Sequence, residues 1–135
     1  MKIHTETIQV NTKASQSFED IGPKIREALE KSGIKEGSVT LFVPHTTAAV
    51  TINENADPDV VTDMLLGLDK AFPDRRDFKH MEGNSHAHLK SSAVGVDQTI
   101  LVSNGSMLLG TWQGLFFCEF DGPRNRKLHI RITGE

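Results

Sequence analysis

Thr111-Trp112-Gln113-Gly114-Leu115-Phe116-Phe117-Cys118-Glu119-Phe120 is the stretch that decides the fold class. It is rich in aromatic residues and ends at Asp121-Gly122-Pro123, so it predicts a strand running into a turn. Alternation along a strand puts Phe116, Cys118 and Phe120 on one face, a core face. Gln113, Leu115, Phe117, Glu119 and Asp121 fall on the other. There the polar members can line a common surface, with Phe117 as an apolar wall. A plain solvent-facing strand carrying two carboxylates accounts for that second face equally well.

Outward from this strand, residues 99–102, 106–109 and 127–133 predict further strands, and Asn104-Gly105 is a strong hairpin signal. Residues 2–10, 38–43 and 49–53 predict three more, with Pro44 interrupting the chain between the last two. Phe18, Ile21, Ile25, Ala28 and Leu29 follow a helical spacing that predicts a helix over 18–32, closed by Gly33. Asp57 as N-cap and Pro58 at the first helical position open a second helix. Its Val60, Val61, Met64, Leu65 and Leu68 predict a buried stripe. Residues 70–85 predict a long loop, and 87–94 a short helix or turn. Two main helices among about seven strands make residues 1–135 a single α+β domain.

Composition excludes several function classes. With 37% apolar and 24% charged residues the chain matches an ordinary soluble protein. A net charge of −3 argues against a broad electrostatic grip on nucleic acid. No apolar run approaches the roughly 20 residues of a membrane span, and no signal-peptide pattern follows Met1. The single Cys118 cannot form an intrachain disulfide, so a cytoplasmic location is expected.

The chemistry concentrates in His80-Met81-Glu82-Gly83-Asn84-Ser85-His86-Ala87-His88-Leu89-Lys90, where three of the six histidines fall within nine residues. Imidazole is the commonest metal ligand and transfers protons near neutral pH. Gly83, Asn84 and Ser85 supply turn chemistry that folds such groups together. His86 and His88 share a face on a strand but point apart on a helix, so in a helix only one can face a site. His45-Thr46-Thr47 and Asn53-Glu54-Asn55 add a second polar cluster, for which structural and functional readings stand level. Arg124 and Arg126, thrown to the rim of Glu119 and Asp121 by a tight turn, suit an anionic substrate; simple pairing with the acids is slightly favoured. Asp57, Asp59 and Asp63 are assigned to helix capping and the helix dipole. His4 and His129 are assigned no role.

His80-x-Glu82 matches part of a zinc deaminase signature, but its cysteine half is missing. No His-Glu-x-x-His, P-loop or dinucleotide glycine pattern is present, and a barrel amidohydrolase needs about 250 residues. A three-histidine set of His45, His80 and His88 would suit zinc with one open position, with Glu82, Glu119 or Asp121 as a further ligand or base. Metal-free proton relay or phosphate binding by the same histidines remains open.

Four segments, His45–Glu54, His80–Lys90, Leu109–Gln113 and Glu119–Arg126, together resemble the YjbQ-like family, also called UPF0047 or the secondary thiamine-phosphate synthase family. The resemblance covers nearly the whole chain. It implies a compact α+β fold with a mixed β-sheet and two main helices, assembled as a homotrimer with pockets near subunit interfaces. It implies a metal site at His45, His80 and His88; so histidine-rich a ligand set favours zinc over the magnesium typical of diphosphate departure. His80, Glu82, Lys90, Glu119 and Asp121 would then carry the chemistry. Asn53, Glu54, Asn84, Gln113, Arg124 and Arg126 would bind substrate, and His86 falls to second rank. The implied activity joins an aminopyrimidine diphosphate to a thiazole phosphate and releases pyrophosphate, with Lys90, Arg124 and Arg126 gripping phosphate oxygens. A small phosphorylated or anionic substrate is therefore expected, with neither nucleic acid nor membrane as a partner. Zinc-assisted hydrolysis and a non-catalytic trimeric metal- or ligand-binding role are the competing readings.

Overall fold

The computed structural model describes residues 1–135. In chain order the elements are β1 (Lys2–Asn11), β2 (Ser17–Asp20), α1 (Gly22–Ser32), β3 (Gly37–Phe42), β4 (Ala48–Glu54) and α2 (Pro58–Ala71). They continue as α3 (Ser85–Val94), β5 (Asp97–Ser103), β6 (Ser106–Met107), β7 (Gln113–Glu119) and β8 (Asn125–Gly134). The α+β class stands. The sheet expected as mixed resolves into two antiparallel sheets, ordered β1-β8-β3-β5-β6 and β2-β7-β4.

Local chemistry explains most boundaries. Gly33 adopts φ 69° at the end of α1, a conformation that costs glycine least. Asp57 caps α2 by accepting the Asp59 N–H at 2.9 Å, with Pro58 behind it. Asn104 and Gly105 take φ 53° and 75°, the pair of positive values that a tight β5–β6 hairpin needs. The helix expected from residue 18 begins at Gly22 instead, because Phe18 belongs to β2 and pairs with Cys118. Asp20 accepts the Gly22 N–H at 2.9 Å, which ends the strand and starts the turn into α1. The strand expected at 106–109 is only two residues long.

The main core lies between the two sheets and α1. Val39, Leu41, Leu128, Ile130 and Ile132 of the larger sheet meet Ala48, Val50, Leu115 and Phe117 of the smaller one, with Ile25 and Leu29 packed among them. A second cluster, Ala49, Phe116, Cys118, Phe120 and Ala87, fills the other side of β7, packed by Val61, Leu68 and Val94 from α2 and α3. The three-stranded sheet is therefore covered on both faces. This corrects both readings of the strand face that carries Leu115, Phe117 and Glu119, as a polar surface walled by Phe117 or as a solvent-facing strand: all three are fully buried, and Leu115 and Phe117 each contribute about 1.5–3 kcal/mol through burial.

Two surfaces stay open. The outer face of the five-stranded sheet presents Ile3, Phe42 and Leu101 to solvent. The stripe of α2 expected to be buried is only half-covered, and no residue of α2 is fully buried. No helix is long and apolar enough to cross a membrane.

Candidate functional site

The site forms where β7 ends at Glu119, β8 begins at Asn125 and α3 begins at Ser85. Glu119 is fully buried, and so is its partner Arg126 apart from a sliver. Arg126 donates from Nε to Glu119 Oε1 at 2.8 Å and from Nη2 to Oε2 at 2.5 Å. Nη2 also donates to the hydroxyl of Thr47 at 2.8 Å. Thr12 Oγ1 and the Asp121 N–H donate to the same carboxylate at 2.7 and 2.9 Å. Burial pushes the Glu119 pKa up, but these donors outweigh it and hold the group below the ordinary carboxylate value. Such a carboxylate stays ionised and is a poor proton shuttle. Glu119 therefore anchors Arg126 and has no free oxygen for a base.

The following turn carries a second arginine. Gly122 packs so tightly that a Cβ would lie 2.2 Å from Ala14 O and 2.8 Å from Glu119 Cγ, so only glycine fits. The turn delivers Arg124, which is half-exposed and donates to Asp121 O at 2.8 Å and Asp121 Oδ2 at 2.9 Å. Glu82 lies 3.7 Å from the same guanidinium. Asn84 bridges the two acids, its Nδ2 donating to Glu82 at 2.9 Å and Asp121 at 2.8 Å. Those two acceptors fix the orientation of the amide; its Oδ1 is buried without a partner. Burial raises the Asp121 pKa, yet the Asn84 and Arg124 hydrogen bonds bring it below the ordinary value.

His45 stands beside both arginines. Pro44 has no N–H and ends the ladder of β3 with β8; the N–H of Lys127, two residues before the last paired residue His129, donates to His45 Nε2 at 2.9 Å. That contact requires an unprotonated Nε2. Burial, then the Arg126 charge, lower the His45 pKa, so a neutral ring with its proton on Nδ1 is the resting form. The Nδ1–H has no protein partner.

Two cavities meet at this ring. A mainly polar one of about 320 Å³ is lined by His45, Thr47, Glu82, Asn84, His88, Arg124 and Arg126 among others. The other, about 620 Å³, has Phe42, Val43, Pro44 and Val96 along its wall. Pro44, His45, Thr46 and His88 line both. The combined cleft offers cations and donors at one end and an apolar wall at the other. Both volumes lie in the range of small-molecule sites.

Of the expected residues, His45, Glu82, Asn84, His88, Arg124 and Arg126 line this cleft, while Glu119 and Asp121 support it from behind. His86 and His88 point apart on α3, as a helix requires: His86 turns toward Asp74 at 3.7 Å, and His88 toward the cleft. Lys90 lies elsewhere. It is fully buried, paired to Asp69, bonded to Gln16 Oε1 at 2.8 Å and set beneath the Phe120 ring. It clasps α2 and the β1–β2 connection to α3, so it grips no phosphate in this chain. Asn53, Glu54 and Gln113 lie at the opposite end of the β4–β7 pair, where Glu54 pairs with Gln113 and Ala48 with Glu119. At ~3.3 Å per residue the two ends are about 20 Å apart. Thr12 joins the site without any local signal in the sequence, because its partner Glu119 is 107 residues away.

The three-histidine metal set is only partly assembled. His80 and His88 meet edge to face, 5.6 Å between ring centroids. His45 has its Nε2 engaged by Lys127. No three His, Cys, Asp or Glu side chains converge as a ligand group. The residues as placed do not complete a zinc site.

Comparison with known proteins extends over nearly the whole chain. A family model described as "UPF0047 protein YjbQ-like" matches residues 6–135. The chain is 48% identical to the UPF0047 protein YugU of Bacillus subtilis, covering 96% of this chain and 98% of that one. It is 50% identical to a UPF0047 protein of Methanocaldococcus jannaschii over 94% of this chain and 92% of that one. A crystal structure of a yjbq/upf0047 family protein from Clostridium acetobutylicum superposes with a TM-score of 0.93 at 50% identity, covering 95% and 99% of the two chains. A protein of unknown function from Sulfolobus solfataricus superposes with a TM-score of 0.95 at 35% identity, covering 99% of each.

Proposed function

This chain belongs to the YjbQ-like UPF0047 family, and from that premise we propose that it is a thiamine phosphate synthase. The observation that carries the reading is the two-part cleft, polar around Arg124 and Arg126 and apolar along Phe42, Val43, Pro44 and Val96. A phosphorylated heteroaromatic substrate has the same two-part character. The flat ring lies along the apolar wall while its phosphates reach the arginines.

In this reaction the carbon–oxygen bond to the diphosphate breaks, and the thiazole nitrogen forms a new bond to the same carbon. Charge develops on the leaving pyrophosphate, so donors placed in advance lower the barrier. Arg124 and Arg126 each keep Nη1 free of protein partners. Those two groups bind the diphosphate, and the His45 Nδ1–H adds a neutral donor between the two halves of the cleft. Glu119 and Asp121 keep the arginines in place, and no proton need pass through either.

Purified protein incubated with both precursors and analysed by mass spectrometry tests this. Thiamine phosphate and pyrophosphate should appear in equal amounts; no product at high enzyme concentration would sink the reading.

Two further parts of the proposal rest on separate observations. His80 and His88 supply only two ligands, so a bound divalent ion, zinc ahead of magnesium, would take its remaining ligands from substrate or water. Elemental analysis of wild type beside His88→Ala checks it, since zinc should be present in the first and absent from the second. The half-covered α2 and the open sheet face at Ile3, Phe42 and Leu101 favour a homotrimer. In it, the Asn53, Glu54 and Gln113 end of one chain completes the cleft of the next. Light scattering gives the assembly size. A mixture of refolded Glu54→Ala and Arg124→Ala chains should recover activity that neither shows alone. The single buried Cys118 suits a reducing cytoplasm.

A further inference from the structure

One buried hydroxyl touches the carriers of both cleft arginines. Thr12 lies one residue beyond β1 and is 6% exposed. Its N–H donates to Arg124 O at 2.9 Å, extending the β1–β8 ladder one pair past Asn11 and Asn125. Its Oγ1 accepts the Arg124 N–H at 2.9 Å and donates to Glu119 Oε1 at 2.7 Å. A hydroxyl has one proton to give. The charged carboxylate oxygen is the better and nearer acceptor; Arg124 O stands at 3.1 Å. The same oxygen thus receives a bond from the backbone of one arginine and gives one to the carboxylate that holds the other.

We propose that Thr12 is a positioning residue that sets the spacing of the two guanidinium groups, so that together they grip a diphosphate in preference to a single phosphate. The inference rests on reading the polar cavity as a phosphate site. Arg126 is held through Glu119 at Nε and Nη2, leaving Nη1 for a ligand. Arg124 hangs from a turn that is half-exposed, and its backbone is tied to the buried pair only where it meets Thr12. Valine at this position keeps the shape but removes the link. The Arg124 N–H then loses its side-chain acceptor, Glu119 loses a donor, and the two arginines no longer move as a unit. Serine keeps the hydroxyl and so keeps the link.

Titration calorimetry with sodium pyrophosphate and with orthophosphate, on wild type, Thr12→Val and Thr12→Ser well below their unfolding temperatures, tests this. Wild type should prefer pyrophosphate. Thr12→Val should bind pyrophosphate about tenfold more weakly, a shift of one decade in Kd, with a smaller loss for orthophosphate, so that the preference shrinks. Thr12→Ser should stay within about twofold of wild type. An unchanged preference in Thr12→Val, or equal proportional losses of both ligands, overturns the proposal. If Thr12→Val does not fold, a folded Thr12→Ser that has lost the preference overturns it equally. Wild type that binds neither anion removes the phosphate site and the link with it. Wild-type preference retained in Thr12→Val leaves the site standing and removes only the role of Thr12.

Discussion

Arg124 and Arg126 sit two residues apart on one stretch of chain, and each pairs with a carboxylate. Arg126 and Glu119 are shut away from water and bonded on nearly every side, whereas Arg124 and Asp121 lie at the rim, 47% and 27% exposed. The difference follows from what flanks them. Glu119 ends a strand covered on both faces, and Asp121 begins the turn that leaves the sheet. The closed pair gives the cleft a rigid back wall; the open pair gives it a side chain that water can leave when a ligand arrives. Rigidity and reach are thus divided between two chemically identical partners.

The largest effect expected from this contrast comes from breaking the closed pair. Glu119→Ala leaves a buried guanidinium without its carboxylate and should cost about 3–5 kcal/mol in urea unfolding. Lys90→Met should cost less, about 1 kcal/mol, because Asp69 is half-exposed and can be rehydrated while methionine fills the space. Arg124→Ala should change stability by under about 0.5 kcal/mol, as expected for a rim residue.

The pH dependence sharpens the same comparison. Glu119 and Asp121 both titrate below the ordinary carboxylate range in the folded chain. Their contribution is complete above the unfolded values of about 4 and is lost as pH falls through the lower folded values. From these two carboxylates alone, the melting temperature should hold from neutral pH to about 5 and then drop steeply. His45 adds a smaller step. Its lowered folded pKa means that the unfolded chain binds the proton first, so stability declines as pH falls below about 6.5. In His45→Gln, whose amide oxygen can still accept the Lys127 N–H, that shallow decline between pH 7 and pH 5.5 should vanish.

Much of the architecture was legible because its signals are local. Gly33, Asp57-Pro58 and Asn104-Gly105 each dictate a backbone conformation within a few residues, and the structure has a helix end, a helix start and a hairpin there. The misreadings share a different cause. Phe18 fits a helical spacing by coincidence, and only its pairing with Cys118 reveals a strand. The apolar face of α2 looks like a core stripe, yet this chain only half-covers it. Of the site, the histidine segment and the two arginines could be picked out, since unusual density and a turn mark them. Lys90 could not be placed, because nothing local says that Asp69 and Gln16 will enclose it. Thr12 carries no local mark at all.

The decisive measurement on the arginine cleft is turnover of the two thiamine precursors by Arg124→Ala beside His129→Ala. His129 lies on the outer sheet face, stacked on Phe42 and bonded to Thr7 at 2.7 Å, away from the polar end of the cleft. Arg124→Ala should fold normally and lose at least about a hundredfold in kcat/KM, or ~2.7 kcal/mol of transition-state stabilisation. His129→Ala should remain near wild type. Full activity in Arg124→Ala, or equal losses in both variants, would contradict the proposed role of the arginines.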